Sequence, residues 1–290
     1  MRQADSDPNG RQERVFDPCI PRASSWFPAA MLLAGFTCGA FPHDARGQNG
    51  DEDEILFSEV SIILETNATD CDTGLQLFFD GDAWNEVKVE APNGRRILHV
   101  RAIGPLKGFG ATEQFNETNE PVMAELVEGF PELECDEPEF TLEELFELFP
   151  EGIYEFEGET VEGDELEGEA TLSHVIPAPP EIVAPVEGAV LDPDNPVVID
   201  WNRVDEPILP SLGRDPLDDV EIVGFHVVVD RVDPAPLVVF TADLAADTTA
   251  VTVPPEFLQP AATYTFEVLQ IDVSGNQTIA ESEFETEDVD

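Results

Sequence analysis

Two closely spaced pairs of aspartates are the first candidates for chemistry in this sequence. Asp70 and Asp72 flank a cysteine ahead of Gly74, and Asp80 and Asp82 flank a glycine a few residues later. Hard cations such as Ca²⁺ are bound by carboxylate and carbonyl oxygens. The spacing is not that of an EF-hand loop, because Gly74 comes one position too early. We predict a Ca²⁺ site at these four aspartates, with ordinary Asp-Gly turns as the alternative.

A second acidic group lies in a predicted β-hairpin formed by residues 154–159 and 165–169. Because side chains alternate between the two faces of a strand, Glu155, Glu157 and Glu159 share one face, and glutamates of the return strand face them. Like charges that lie directly opposite each other destabilise a strand pair. The favoured interpretation is a solvated acidic face, and a bridging divalent cation is the alternative.

Trp84 is the candidate for carbohydrate binding, because it lies just after the predicted Asp-Gly turn and beside Phe78 and Phe79. An exposed indole ring gives a sugar a flat surface to stack on. Alternation along the strand also places one side of it in the core, and a buried tryptophan is the favoured interpretation.

Catalytic motifs are missing from the sequence. Beyond the first 47 residues the histidines are His99, His174 and His226, none paired at metal-ligand spacing. The chain has no Gly-x-Ser-x-Gly elbow, phosphate-binding loop or His-Glu-x-x-His motif. We therefore predict no enzyme. A hydrolase with a carboxylate site in the N-terminal domain is the less favoured alternative, since a glycosidase needs only two carboxylates.

The charge of the chain is extreme: 63 acidic and 13 basic residues give a net charge of −50. Binding to nucleic acid or to acidic membranes depends on Lys and Arg, so those partners are excluded. High salt screens such a charge, and a saline bacterial habitat would explain it as well as Ca²⁺ binding would.

The first 47 residues resemble a secretory leader. Arg22 precedes the apolar run 26–36, and small residues follow, with cleavage expected near Ala40 or Gly47. We expect a secreted, periplasmic or cell-surface protein with no transmembrane helix in the mature chain. Cys71 and Cys135 would remain after cleavage, as a disulfide worth about 4 kcal/mol or as two unrelated thiols.

The remaining chain predicts a mainly β protein of two domains. An acidic lead-in, residues 48–54, precedes a β-rich domain of residues 55–176. Its predicted strands include 75–79 and 84–90, joined by an Asp-Gly hairpin turn. Its one predicted helix runs from Leu142 to Phe149, with a capping box.

Residues 177–287 resemble a fibronectin type III domain. The motifs are Trp201 on an alternating strand, Leu258-x-Pro-x-x-x-Tyr264, and the turn from Asp272 to Asn276. The resemblance implies a seven-stranded β-sandwich in which Trp201 and Tyr264 are structural. It also implies that two loops meet at one end, where we predict a partner-binding surface formed by four aspartates: Asp215, Asp218, Asp219 and Asp272. A variable insertion in the first of these loops is the alternative.

These observations favour a non-catalytic binding protein, exported and stabilised by Ca²⁺, with an unidentified protein or glycan partner. A carbohydrate-binding accessory protein is the alternative, and Trp84 would then hold the glycan.

Overall fold

The computed structural model describes residues 55–131, 133, 135–208 and 220–289. The predicted leader and acidic lead-in lie outside these residues, as do Asp215, Asp218 and Asp219. Strands dominate the described chain and its helices are short, which confirms the predicted mainly β fold class.

The first half contains seven strands and three helices. They are β1 (Ile55–Leu56), β2 (Glu59–Asn67), β3 (Asp72–Glu90), β4 (Arg96–Arg101), α1 (Leu106–Phe109), β5 (Ala111–Glu117), α2 (Ala124–Gly129), α3 (Leu142–Leu148), β6 (Gly152–Thr160) and β7 (Glu165–Leu172).

In the second half, every element of the described residues is a strand. They are β8 (Glu181–Ala184), β9 (Ala189–Leu191), β10 (Val197–Asn202), β11 (Ile222–Asp233), β12 (Val238–Ala245), β13 (Ala250–Val253), β14 (Thr263–Asp272) and β15 (Gln277–Thr286).

One twelve-stranded sheet runs through both halves. Its main path is β1-β7-β6-β3-β2-β15-β14-β11-β12, while β4 and β5 also pair with β3, and β9 pairs with β15. A separate sheet has the order β13-β10-β8. The halves join where β2 pairs in parallel with β15. Each half has its own apolar cluster, but the two halves share a sheet. The domain boundary at residue 176 therefore stays a prediction.

The predicted hairpin turn at Asp80-Gly81-Asp82 is wrong, because β3 continues through it as one strand of 19 residues. The first part of β3 pairs with β2 and β5, and the second part pairs with β4 and β6. The glycine serves close packing instead of a turn. A Cβ atom on Gly81 would lie 2.9 Å from a ring carbon of Phe57.

The second half has the sandwich that the resemblance implied. Strands β8, β10 and β13 form one sheet, and β12, β11, β14 and β15 form the other, as in a fibronectin type III domain. Trp201 and Tyr264 are fully buried between the sheets. The backbone N–H of Gln259 donates to the Tyr264 hydroxyl at 2.8 Å. This bond forms the predicted tyrosine corner, which fixes the chain entering β14.

Two helices of the first half, α2 and α3, bury leucines in its apolar core, whereas α1 is exposed. The Thr141 side chain accepts from the Glu144 backbone N–H, and the Glu144 carboxylate accepts from the Thr141 N–H, so the predicted capping box is present. Leu142 and Leu145 of α3 are buried in the core around Trp84. Cys71 forms a disulfide with Cys135.

Two buried amides fasten the junction between the halves. Asn276 accepts from the Leu64 N–H at 2.8 Å and donates to the carbonyls of Ser173 and Val175 at 2.9 and 2.7 Å. Gln270 bonds the backbone of Ala178 and Val204. All these bonds satisfy backbone groups, so they hold the connection between the halves in one conformation.

Candidate functional site

Strand register gathers acidic and amide side chains on one face of the shared sheet. Glu65 on β2 lies opposite Gly74 on β3 and Gln277 on β15. Gln76 on β3 lies opposite Glu117 on β5. Because alternate residues share a face, these side chains project from the face opposite to the two apolar cores.

Three carboxylates converge on this face. Glu65, Glu117 and Glu120 form what we call the carboxylate site. One oxygen from each of these carboxylates lies within 4.8 Å of the other two. Oxygens that ligate one Ca²⁺ at about 2.3–2.6 Å can be at most about 5 Å apart, so this spacing fits one shared ion. Gly74 makes the arrangement sterically possible, because a Cβ atom there would lie 2.7 Å from the Glu120 Cγ.

Two buried amides border the carboxylate site. Gln76 Nε2 donates to Glu117 Oε1 at 3.0 Å, and Gln277 Nε2 donates to Glu65 Oε2. Gln76 is only 6% exposed, and its Oε1 atom is buried without a hydrogen-bond partner. Asp72 Oδ1, close by, is also buried and unpartnered. Both atoms are oxygens, the type of ligand atom that a hard cation binds.

The carboxylates of this region have raised pKa values. Burial raises the pKa of Glu65 to about 7, and Glu117 adds to the shift. Burial, with Glu65 and Asp72 next, raises the pKa of Glu120 to about 8. Burial and Asp70 raise the pKa of Asp72 to about 7. The carboxylates thus either keep protons near neutral pH or need a positive charge among them.

The structure separates the four aspartates predicted to bind Ca²⁺. Asp70 and Asp72 lie beside the carboxylate site, within electrostatic reach of Glu120. Asp80 lies in another row of the same face, directly opposite Glu59 and Glu113, and Asp82 is exposed. The four therefore do not form one site, because β3 is extended where a turn was expected.

The disulfide holds the turn that carries Asp70 and Asp72. Cys71 lies between them with a positive φ of 62°. Its carbonyl accepts from the Met123 N–H at 2.8 Å, and the Thr73 N–H donates to the Pro121 carbonyl. Through these bonds and the bridge to Cys135, the turn is fixed to the segment that follows Glu120.

Further acids extend this face across the junction. Glu267 on β14 lies directly opposite Glu281 on β15. Burial raises the pKa of Glu267 to about 8, with Glu281 adding to the shift. Burial raises the pKa of Glu281 to about 7, with Asp70 adding to the shift. We call the whole surface from Glu117 to Glu267 the acidic face.

Trp84 lies in the core, as the favoured interpretation of the sequence held. It is 1% exposed, and its ring centroid lies 5.5 Å from that of Phe79. An indole in this position has no open face for a sugar, so the carbohydrate interpretation of Trp84 has no structural support.

Asp272 is buried at the turn between β14 and β15. Its Oδ1 atom accepts from the Ser274 N–H at 2.8 Å and from the Ser274 hydroxyl at 2.6 Å. These bonds give it a local structural role. The predicted convergence of Asp272 with Asp215, Asp218 and Asp219 involves residues outside the described part of the chain.

The acidic hairpin has the predicted register. Glu155 lies opposite Glu169, and Glu157 lies opposite Glu167. These side chains are exposed, so water and salt screen their repulsion, in agreement with the favoured interpretation of a solvated face.

Comparisons with known proteins concern the fold alone. No family model matches the chain, and no curated protein matches it. Among solved structures, it is similar to the fibronectin(III)-like modules of Clostridium thermocellum CbhA, at 8% identity over 80% of this chain and 93% of that one, with a TM-score of 0.30. It is also similar to the chicken CNTN1 FN1-FN3 domains, at 11% identity over 82% and 69%, with a TM-score of 0.32.

A third similar structure is described as a myokine, at 17% identity over 38% of this chain and 98% of that one, with a TM-score of 0.26.

In the part of the chain that the structure describes, no helix is long and apolar enough to cross a membrane. The strand order and the tyrosine corner show that the C-terminal part of the chain is a fibronectin type III-like domain.

Proposed function

We propose that the protein is an exported, non-catalytic binding module of the cell envelope or extracellular space, stabilised by Ca²⁺ at the carboxylate site. The observation that carries the Ca²⁺ proposal is the convergence of the Glu65, Glu117 and Glu120 carboxylates, next to the buried Gln76 amide whose Oε1 atom has no hydrogen-bond partner. An amide oxygen, several carboxylate oxygens and added water form the all-oxygen ligand set that Ca²⁺ prefers.

Bound Ca²⁺ would stabilise the fold by relieving two costs. It would neutralise carboxylates that burial and mutual repulsion destabilise in their charged form. It would also give the Gln76 and Asp72 oxygens a partner that they otherwise lack. Because the site joins β2, β5 and the segment after β5, the ion would brace strands of the first half.

The geometry favours a shared ion over a glycoside-cleaving pair of acids. A glycosidase uses two carboxyl groups that flank the scissile bond. Here three carboxylates converge, and amides of Gln76 and Gln277 bond two of them. The hydrolase alternative is therefore the weaker hypothesis for this group.

Thermal unfolding of the full chain tests the proposal. Millimolar CaCl₂ should raise the melting temperature well beyond NaCl of matched ionic strength, and a chelator should reverse the gain. The Glu120→Gln variant should lose this gain and should melt higher than wild type in chelator, because a repelling charge has been removed. Glu187→Gln, at an exposed turn, is the matched control and should respond to Ca²⁺ as wild type does.

Equal stabilisation by CaCl₂ and matched NaCl would contradict the proposal. That result would instead support a solvated acidic surface adapted to a saline habitat.

A further inference from the structure

The outer edge of the shared sheet is formed by β12. This strand pairs with β11 through eight consecutive residue pairs, from Gly224↔Ala245 to Arg231↔Val238, without a bulge. No described strand pairs with its other side. Such an edge presents a row of N–H and C=O groups that another extended chain can bind.

The β12 edge has few of the features by which proteins usually protect an edge strand. Its sequence, Val-Val-Phe-Thr-Ala-Asp-Leu-Ala, contains no lysine, arginine, proline or glycine, and its one charged residue is Asp243. Short strands, bulges, prolines and charged side chains, lysine above all, are the usual protection against unwanted pairing. By contrast, the described strand at the opposite end of the main path is β1, which has two residues. The β12 edge is thus long and regular, and no described strand covers its outer side.

The two sides of β12 indicate the kind of segment that fits beside it. Phe240 and Leu244 are half-buried and pack against the core of the sandwich, so apolar side chains of an added strand would extend that core. On the other side, Val239, Thr241 and Asp243 are exposed.

Charge further restricts the occupant. Asp243 lies on the strand, and the exposed residues Asp233 and Asp247 lie near its two ends. A second copy of this chain would carry the same net charge of −50 and would be repelled. Basic side chains on the added strand would instead be attracted to the exposed side of β12.

We propose that the β12 edge binds an extended polypeptide segment in which apolar and basic residues alternate, added to the sheet as a further strand. The backbone would supply binding energy, and the alternation would supply specificity through the two different sides of the strand. This surface is separate from the carboxylate site, so the proposal does not depend on Ca²⁺.

A pair of synthetic peptides tests the proposal with the full chain. Both contain four valines and four lysines, one in strict alternation and the other as a block of valines followed by a block of lysines. The alternating peptide should bind at least about tenfold more tightly. Only in that peptide can valines extend the core side of β12 while lysines lie on its exposed side. Hydrogen exchange should show new protection at the amides of β12, and added NaCl should weaken binding.

The Thr241→Lys variant places a repelling charge on the exposed side of the edge. It should weaken binding of the alternating peptide at least about tenfold, whereas Thr112→Lys, with the same change in net charge at an exposed position of β5, should not. Equal binding of both peptides, protection on the acidic face instead of β12, or concentration-dependent dimers protected at β12 would overturn the proposal.

Discussion

Replacement of Glu65 by glutamine should stabilise the protein at alkaline pH and change little in acid. Burial, with Glu117 next, raises the pKa of Glu65 from 4.5 to about 7. In the unfolded chain the carboxyl titrates near its ordinary value. Between these two values the native state therefore retains a proton that the unfolded state has lost, and the free energy of unfolding must fall as the pH rises.

The size of the effect follows from the two pKa values. The native and unfolded pKa values differ by about 2.5. At about 1.36 kcal/mol for each pKa unit, this difference corresponds to about 3 kcal/mol of unfolding free energy. Glutamine has no charge at any pH, and its carbonyl oxygen can still accept the bond from Gln277. The free energy of unfolding of the Glu65→Gln variant should thus equal that of wild type at about pH 4 and exceed it by about 3 kcal/mol at about pH 8.

The assay is urea unfolding of wild type and Glu65→Gln at both pH values, with a chelator present throughout. Glu187→Gln is the control for removing one acidic charge at an exposed site, and its difference from wild type should not grow with pH. Parallel pH profiles for wild type and Glu65→Gln would refute the reasoning, as would a variant that is less stable than wild type near pH 8.

Three further substitutions test the framework around the site by urea unfolding. Cys135→Ser removes the bridge to Cys71 and should lower the free energy of unfolding by about 4 kcal/mol. Equal stability of wild type with and without reductant would contradict this. Tyr264→Phe removes the hydroxyl that accepts from the Gln259 N–H and should cost about 0.5–1.5 kcal/mol. An unchanged midpoint would show that the corner bond contributes nothing. Asn276→Ala leaves three backbone groups unpaired at the junction and should cost about 3 kcal/mol or more, whereas a cost below about 1 kcal/mol would argue against its fastening role.

The sandwich could be predicted from the sequence because its signals are local. Alternation predicts β10 and β14 nearly to the residue. The Leu-x-Pro turn before Tyr264 predicts the corner, because the hydroxyl bonds a backbone group only five residues upstream. The capping box at Thr141 is likewise formed within one helical turn.

The course of β3 could not be predicted, because its deciding contacts are distant in sequence. Asp80-Gly81-Asp82 is a hairpin signal by local rules. The glycine is used instead where Phe57 approaches the strand, and the pairing with β2, β5 and β6 holds β3 extended on both sides of it.

The carboxylate site was missed for the same reason. Only the pairing of β2, β3 and β5 brings Glu65, Gln76 and Glu117 together. In the sequence, Glu65 directly follows an alternating segment that ends at Leu64, and Glu117 lies in residues 104–120, which show no periodicity and predict a loop. The one signal in the sequence was the Asp70-Cys71-Asp72 turn, which the structure places beside the site.

Calorimetric titration of the full chain with Ca²⁺ measures cation binding at the carboxylate site itself. One ion should bind per chain, more tightly as the pH rises through the raised pKa values of Glu65 and Glu120, since protons compete for the same oxygens. Glu120→Gln should weaken binding at least about tenfold, and Asp80→Asn, in another row of the same face, should not. Absence of binding, or equal losses in the two variants, would contradict the claim.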